Sequence, residues 1–455
     1  MNRVSLKTIS KIINSGLTPL RSNDKFWLDG NIPWVKTEQL GEKYIYDSNE
    51  KITKYALENT SIKLNPANTL SIAMYGEGKT RGSVSILKNV TTTNQACCNI
   101  VIDEKKADFE FVYYNLKTQY DNLRNLSSGV RKNLNSNDIK SFEIFLPNLS
   151  TQKQIAKVLS DLDAKIEVNN KINAELEAMA KLIYDYWFVQ FDFPFDFAQG
   201  KPDPKGKPYK SSGGKMVYHK ELKREIPEGW EVKTIGDLVD CNKWNRTKET
   251  KFSSINYLDT SSLTRNVVDS VQELIVGFDK IPSRAQRIVS QNDILYSTVR
   301  PNQEHFGIIK LPMENLVAST GFAQIRSKNI KFTNDYIYQF LCQDYVAVRL
   351  QQIAEGSVSA YPSISHNDIM DLKIVLPIKG KLIEKANTIF RQYNEKIALN
   401  LKQNQKLSEL RDWILPMLMN GQVTVANEEL GITNAELGND LGMVAEEAGN
   451  YKLRK

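Results

Sequence analysis

The chain has little that could support catalysis by itself. Its 455 residues include only 3 histidines and 4 cysteines. His219, His305 and His366 are far apart, and Cys97, Cys98, Cys241 and Cys342 form no CxxC, so neither a metal site nor a histidine general base has its usual spacing. Such cysteines suit a reducing compartment as small buried hydrophobes. No apolar run approaches the ~20 residues that cross a bilayer, and Met1–Lys7 lacks a signal-peptide core, so a cytoplasmic chain without membrane contact is expected. Gly76-Glu77-Gly78-Lys79-Thr80 is the nearest thing to a phosphate loop. It has Ala73 where the first glycine is required, and it leads into a strand-like run instead of a helix. An amino-methyltransferase would need an Asn/Asp-Pro-Pro-aromatic run, and Asp192-Phe193-Pro194-Phe195 lacks the first proline. No acidic cluster of nuclease type stands out. No catalytic residue, metal ligand or bound cofactor is therefore expected in this chain.

What the chain has is one long helical pattern, twice. Thr151 and Gln154 read as a capping box, followed by Ile155, Leu162, Asn169, Leu176 and Ile183 at seven-residue spacing. A second row, Val158, Lys165, Ile172, Met179 and Tyr186, stands beside it as the other half of an a/d seam. After Leu376-Pro377 the pattern returns as Ala386, Tyr393, Asn400, Leu407 and Ile414 and runs to Pro416. The offset is a constant 231 residues (155 to 386, 169 to 400, 183 to 414). Each helix carries the chain out of a preceding globular half, so an antiparallel pair is expected. Asn169 and Asn400 would then meet near its middle, where a buried amide sets register at some cost in stability. On residues alone the other reading stays open, with each Asn facing water.

Length places two or three domains in the chain. The expected layout is a first globular half at 1–147, the first long helix at 148–192 and a linker at 193–225. A second half at 226–377, the second long helix at 378–421 and an acidic, flexible tail at 422–455 follow. Strand-like runs such as Thr69–Met74, Gly82–Leu87 and Asn292–Ser297, with a helical run at Phe109–Leu123, make each half mixed α and β. Asn137–Pro147, echoed by Asn367–Pro377, reads as a strand delivering the chain to each long helix, while the interiors of the halves look unlike. The fold class is α+β: two mixed α/β domains separated by two long antiparallel coiled-coil helices in a pseudo-two-fold internal repeat. The rings from Tyr184 to Phe197 cannot all be solvated cheaply and should pack on a neighbouring domain or another subunit.

The formal charge of +7 permits a polyanionic partner. Basic and amide side chains recur in turns: Lys79, Arg81, Asn94, Gln95, Arg131 and Lys132 in the first half, and Arg284, Arg287, Arg300, Asn302 and Gln303 in the second. Arg can pair bidentately with guanine and Asn or Gln with adenine, while Lys neutralises phosphate. As a set they are the candidate DNA contacts.

Several stretches in order carry a family resemblance: Asn94-Gln95-Ala96-Cys97-Cys98, Tyr186–Pro194, Glu225-Ile226-Pro227-Glu228-Gly229-Trp230, Ser297–Asn302 and Ala318–Phe322. With the Leu-Pro-to-helix junctions, the chain resembles the DNA-specificity subunit of type I restriction-modification systems. The resemblance implies two target-recognition domains, each reading half of a split site in double-stranded DNA, and a paired-helix spacer that docks two methyltransferase subunits. Those subunits and endonuclease/translocase subunits would supply the S-adenosylmethionine, ATP and Mg chemistry. Two other classes stay open on residues alone: a stand-alone methyltransferase or nuclease, and a coiled-coil scaffold that does not bind DNA.

Overall fold

β-Branched and small polar residues fill short runs between Gly and Asn turns in both halves, and these runs become strands. The computed structural model describes residues 2–76, 78–126, 133–194, 207–247, 249–356, 362–378 and 381–425. The expected acidic tail beyond 425, together with Arg131, Lys132, Phe195 and Phe197, lies outside the described residues. Contacts divide the chain into two units, 1–163 with 409–455 and 164–408. Each unit therefore holds one globular half and the adjoining stretches of both long helices.

In the first unit the strands are β1 (Asn2–Ser5), β2 (Ser10–Ser15), β3 (Ile32–Val35), β4 (Tyr44–Ile45), β5 (Glu50–Ile52), β6 (Thr69–Ala73), β7 (Val84–Leu87), β8 (Thr92–Thr93), β9 (Cys97–Ile102) and β10 (Glu143–Leu146). They form a five-stranded sheet, β2-β9-β6-β7-β4, a three-stranded sheet, β5-β3-β8, and the pair β1-β10. Phe111, Val112 and Tyr114 of the helix Phe109–Thr118 share a core with Leu70, Ile72 and Ile100 of the large sheet. Ile155 and Leu159 from the first long helix and Leu415 and Leu418 from the second join that core.

The second unit contains β11 (Met216–His219), β12 (Arg224–Pro227), β13 (Trp230–Thr234), β14 (Val239–Cys241), β15 (Ser254–Leu258), β16 (Leu263–Thr264), β17 (Val267–Val268) and β18 (Gln272–Ile275). It continues with β19 (Ala285–Ile288), β20 (Asp293–Ser297), β21 (Phe306–Ile309), β22 (Leu316–Ser319), β23 (Phe322–Ser327) and β24 (Lys373–Pro377). The sheet orders β14-β23-β20-β21 and β18-β15-β22-β19 reproduce β2-β9-β6-β7 and β5-β3-β8, and β13-β24 reproduces β1-β10. A parallel pairing also recurs, β3 with β8 and β15 with β22, whereas the parallel pairing of β4 with β7 has no counterpart among the described strands of the second unit. The interiors, which look unlike as sequence, thus share one topology. A strand requires only alternation and burial, so its residues can change while its place in the sheet persists.

Several local expectations are corrected. The first long helix is Leu149–Tyr184, and its cap is Asn148, whose Oδ1 accepts from Thr151 N at 2.9 Å, so Thr151 lies inside the helix. The helix ends in a π-turn at Asp185–Val189. The second long helix, Leu382–Met419, runs through Pro416. A proline near a helix end removes one hydrogen bond, and the burial of Leu415, Leu418 and Met419 outweighs that loss. The junctions are not single strands. Ser136–Ser141 and His366–Met370 are short helices held by the capping boxes Asn135/Asp138 and Ser365/Asp368, and only β10 and β24 are extended.

Of the span expected as a linker, 193–225, the described residues 193–194 and 207–225 belong to the second unit and include side chains packed in its core. Phe193 stacks on Tyr209 at 4.7 Å and on Trp230 at 5.2 Å, and β11 pairs with β12. Tyr184, Phe188, Phe191 and Phe193 are buried in that unit's core, so these rings pack within the chain.

The second seam row is displaced by one residue. Leu159, Asn173 and Ala180 are buried with Ile166 half-buried, whereas Met179 and Tyr186 are exposed. Rows three and four residues from the first are both helical neighbours, and only the position of the partner helix selects between them. The first row holds. Ile155 and Asn169 are buried, and Leu162, Leu176 and Ile183 are half-buried. On the second helix Ala386, Asn400 and Leu407 are buried, with Tyr393 and Ile414 half-buried.

Candidate nucleic-acid interface

The repeated topology brings the same three loops together in each unit. In the first, Met74 N donates to Ala96 O at 2.8 Å and Leu134 N to Met74 O at 3.1 Å. These bonds join the β6–β7 loop, the β8–β9 turn and the approach to the Ser136–Ser141 helix. In the second, Thr298 N donates to Gly321 O at 2.9 Å and Ile364 N to Thr298 O at 2.8 Å, joining the β20–β21 loop, the β22–β23 turn and the approach to the His366–Met370 helix. The turn before β19 adds to the second cluster, since Thr320 N donates to Arg284 O at 2.8 Å. Gly321 is required there, because a Cβ would stand 2.7 Å from Thr260 Cγ2.

Lys79 and Gln95 are exposed in the first cluster, and Arg284, Arg300, Asn302 and Gln303 in the second. Arg300 holds a left-handed φ of 49° and leads into a 3-10 turn at Pro301–Gln303. Its backbone is pinned by Arg300 N donating to Pro362 O at 2.9 Å, so the side chain leaves a rigid support. Arg81 is half-buried. Two of the expected contacts also make bonds within the fold. Asn94 Oδ1 accepts from Ala96 N at 3.2 Å and shapes its own turn. Arg287 Nη1 donates to Asn245 Oδ1 at 2.6 Å and Asn242 O at 3.3 Å, and burial lowers its pKa. A residue not singled out in the sequence, Thr18, donates its hydroxyl to Gln95 Oε1 and orients that amide. Among the described residues no group of three or more His, Cys, Asp or Glu is placed to hold a metal ion, and no helix is long and apolar enough to cross a membrane.

Within the second unit the long helices meet through amides. Asn169 Nδ2 donates to Asn404 Oδ1 at 2.8 Å, and Asn400 Nδ2 donates to Asn173 Oδ1 at 2.8 Å. Since 169 pairs with 400, and 173 with 404, under the 231-residue offset, each bond is the other's pseudo-two-fold image. Asn173 and Asn404 were not picked out from the sequence, although that offset would have found them. The symmetry is incomplete: Asn404 Nδ2 donates to Asn170 Oδ1 at 2.7 Å, whereas the residue at the equivalent place for Asn173 is Leu401, and Asn173 Nδ2 is buried without a partner.

One more pair of positions at this offset ties helix to globular half in each unit. In the first, Asp163 accepts from the Tyr114 hydroxyl, pairs with Arg411 Nη1 at 2.7 Å and lies 3.2 Å from Lys43 Nζ. Burial works to raise its carboxyl pKa. The Tyr114 hydrogen bond, Lys43 and Arg411 outweigh it and hold the group below the ordinary value. In the second, Asn394 Nδ2 donates at 2.7 Å to Asp335, itself paired with the buried Lys310 at 3.0 Å.

Two globular halves of one topology, each closing three loops into a cluster with exposed basic and amide side chains, define a two-headed recognition scaffold built on paired helices. The chain belongs to the type I restriction modification DNA specificity domain family, whose model matches residues 1–178 and 227–409. It is 27% identical over 439 residues to the type I restriction enzyme MjaIX specificity subunit of Methanocaldococcus jannaschii, covering 93% of each chain. The MjaVIII specificity subunit of the same organism is 22% identical over 425 residues, 88% of each. In fold it is similar to the crystal structure of a type I restriction-modification S subunit from M. genitalium, with a TM-score of 0.57 at 17% identity, over 92% of this chain and 96% of that one.

Proposed function

We propose that this chain is the sequence-specific DNA-binding subunit of a type I restriction-modification complex. It reads a bipartite duplex target, one half-site per globular half, and docks two methyltransferase subunits and endonuclease/translocase subunits. S-adenosylmethionine, ATP and Mg act on those partners and are not bound by this chain. The supporting observation is the loop cluster built twice with the same backbone hydrogen bonds and carrying Lys79 and Gln95 in one copy and Arg284, Arg300, Asn302 and Gln303 in the other. Such side chains on rigid turns suit base edges and phosphates.

The test is a genome-wide map of methylated adenines with and without this gene. A split motif with a fixed gap should disappear with the gene, and an unchanged map would sink the reading. Methyl transfer by the purified chain without partners would instead identify a stand-alone enzyme. Duplex binding at low salt that weakens steeply as salt rises distinguishes the reader from a scaffold that never touches DNA.

A further inference from the structure

The turn that carries Arg300, Asn302 and Gln303 is held in a strained form. Arg300 and Glu304 flank the 3-10 turn Pro301–Gln303, and both have a left-handed φ, 49° and 56°. The β16–β17 hairpin beside them turns on two further left-handed residues, Arg265 at 42° and Asn266 at 67°. A two-residue hairpin loop of this hand favours Asn or Gly at its first position, so Arg265 stands there at a cost. In the first half the corresponding β6–β7 loop has its positive φ at Gly76, Gly78 and Gly82, where it costs little. In the second half the strain is offset by bonds. Arg265 Nε donates to Glu304 Oε2 at 2.6 Å and its Nη2 to Glu304 Oε1, while Asn266 Oδ1 accepts from Ile308 N at 2.8 Å. His305 Nδ1 donates to Leu263 O at 2.9 Å, which fastens the hairpin to the end of the turn. Gln351, on the helix Asp344–Glu355, accepts from Asn302 N at 3.2 Å.

These supports lead to one face of the first long helix. The Glu177 carboxyl faces Arg265 and hydrogen-bonds with Asn266, and burial raises its pKa against the pull of both. Lys181, four residues further along, pairs at 2.5 Å with Asp344, the first residue of the helix that carries Gln351. Residues four apart share a helix face. An exposed pair such as Lys181–Asp344 contributes little by itself, whereas the forked Arg265–Glu304 pair fixes a geometry. We infer that Arg265 and Glu177 are positioning residues for the second half-site: Arg265 holds the exit of the Arg300–Gln303 turn through Glu304, and Glu177 ties Arg265 to the first long helix. This rests on the function proposed above and adds to it a dependence of base reading on the helix. A shift of that helix would move the turn, and with it the side chains of Arg300, Asn302 and Gln303. The link belongs to one half. At the 231-residue offset Glu177 and Lys181 fall on Ser408 and Asp412, so the second long helix does not carry the same two charges.

The test uses the full chain assembled with its partner subunits and three synthetic duplexes: the split motif read from the methylation map, and that motif with either half scrambled. The second half-site is the one that stays when residues 1–147 are exchanged. Glu177→Gln removes the charge and keeps the shape, and Arg265→Asn keeps the hairpin, because Asn accepts a left-handed φ. Each should lower the preference for the intact motif over the second-half scramble by about fivefold, the scale of coupling between contacting residues. The preference over the first-half scramble should not change. In a chain with Arg300, Asn302 and Gln303 all replaced by Ala, the same substitutions should change nothing further, a result that a general loss of structure would not produce. No loss with either variant, equal losses at both half-sites, or a further loss in the Ala-substituted chain would overturn the assignment. A loss with only one of the two variants would overturn the link between helix and turn. An unaltered complex that prefers no duplex would instead overturn the proposed function, and the positioning roles with it.

Discussion

At the scale of the residue, the question is which exposed side chains read bases and which only neutralise charge. Arg300 leaves a backbone held at φ 49° between Pro362 and a 3-10 turn, so little backbone freedom remains for this turn to lose on binding. If it pairs with guanine, Arg300→Ala should cost about 1–3 kcal/mol on the cognate second half-site and much less on a site mismatched there. Competition binding with both duplexes measures this. Equal weakening on every duplex would make Arg300 a phosphate contact. The amide ladder offers a second residue-scale prediction. Asn173 Nδ2 is buried and unpaired because Leu401 stands where Asn170 stands in the pseudo-symmetric copy. Leu401→Asn should supply the missing acceptor and stabilise the helix pair by about 1 kcal/mol. Urea unfolding reads this as a raised midpoint, and a lowered midpoint would show that the lost apolar contact outweighs the amide.

At the scale of the element, the long helices are the part most open to manipulation. Asp163 joins the first long helix to the second through Arg411 and to the globular half through Tyr114 and Lys43. Its native pKa is depressed. Its stabilisation is therefore fully present above the unfolded value near 4 and is lost as pH falls through the lower native value. Asp163→Asn should remove that acid dependence and cost about 3 kcal/mol at neutral pH, because a part-buried ion pair is broken and Arg411 is left to Asp412 and Lys43 to Glu110. Unfolding across pH 3 to 7 would show both effects, and an unchanged acid limb would show that other carboxylates govern it. Helix length is the other variable. One heptad added after Lys171 and one after Lys402 lies between the two amide pairs, so Asn169–Asn404 and Asn400–Asn173 can both re-form while the helices lengthen by about 10 Å. The unspecified gap in the methylated motif should then grow by up to about three base pairs, with its ends unchanged. An unchanged gap in an active complex would make the helices supports for partners and not the measure of the gap.

At the scale of the whole molecule, the repeat makes the halves separable. Each has its own sheets and its own core, and each closes its loop cluster with its own backbone bonds. Exchanging residues 1–147 for those of a relative with a different target should therefore change one half of the methylated motif. A change in both halves would show that base reading is shared between them.

The sequence by itself determined the periodic features. The helix pair, its 231-residue repeat, the Asn169/Asn400 correspondence and the alternating strands β6, β7 and β20 are set by spacing along the chain, and spacing survives without knowledge of the partner. It also determined which turns carry Lys79, Arg284 and Arg300, since Gly and Pro punctuate those turns locally. Only the tertiary structure decided which row of each long helix is buried, because rows three and four residues from the first are equivalent until a neighbour covers one. It decided that Asn94 and Arg287 serve their own loops, because hydrogen-bond partners 2 and 42 to 45 residues away carry no common local signature. It decided as well that the two unlike interiors are one topology, because strand pairing is set by contacts distant in sequence, and alternation alone does not say which strands meet.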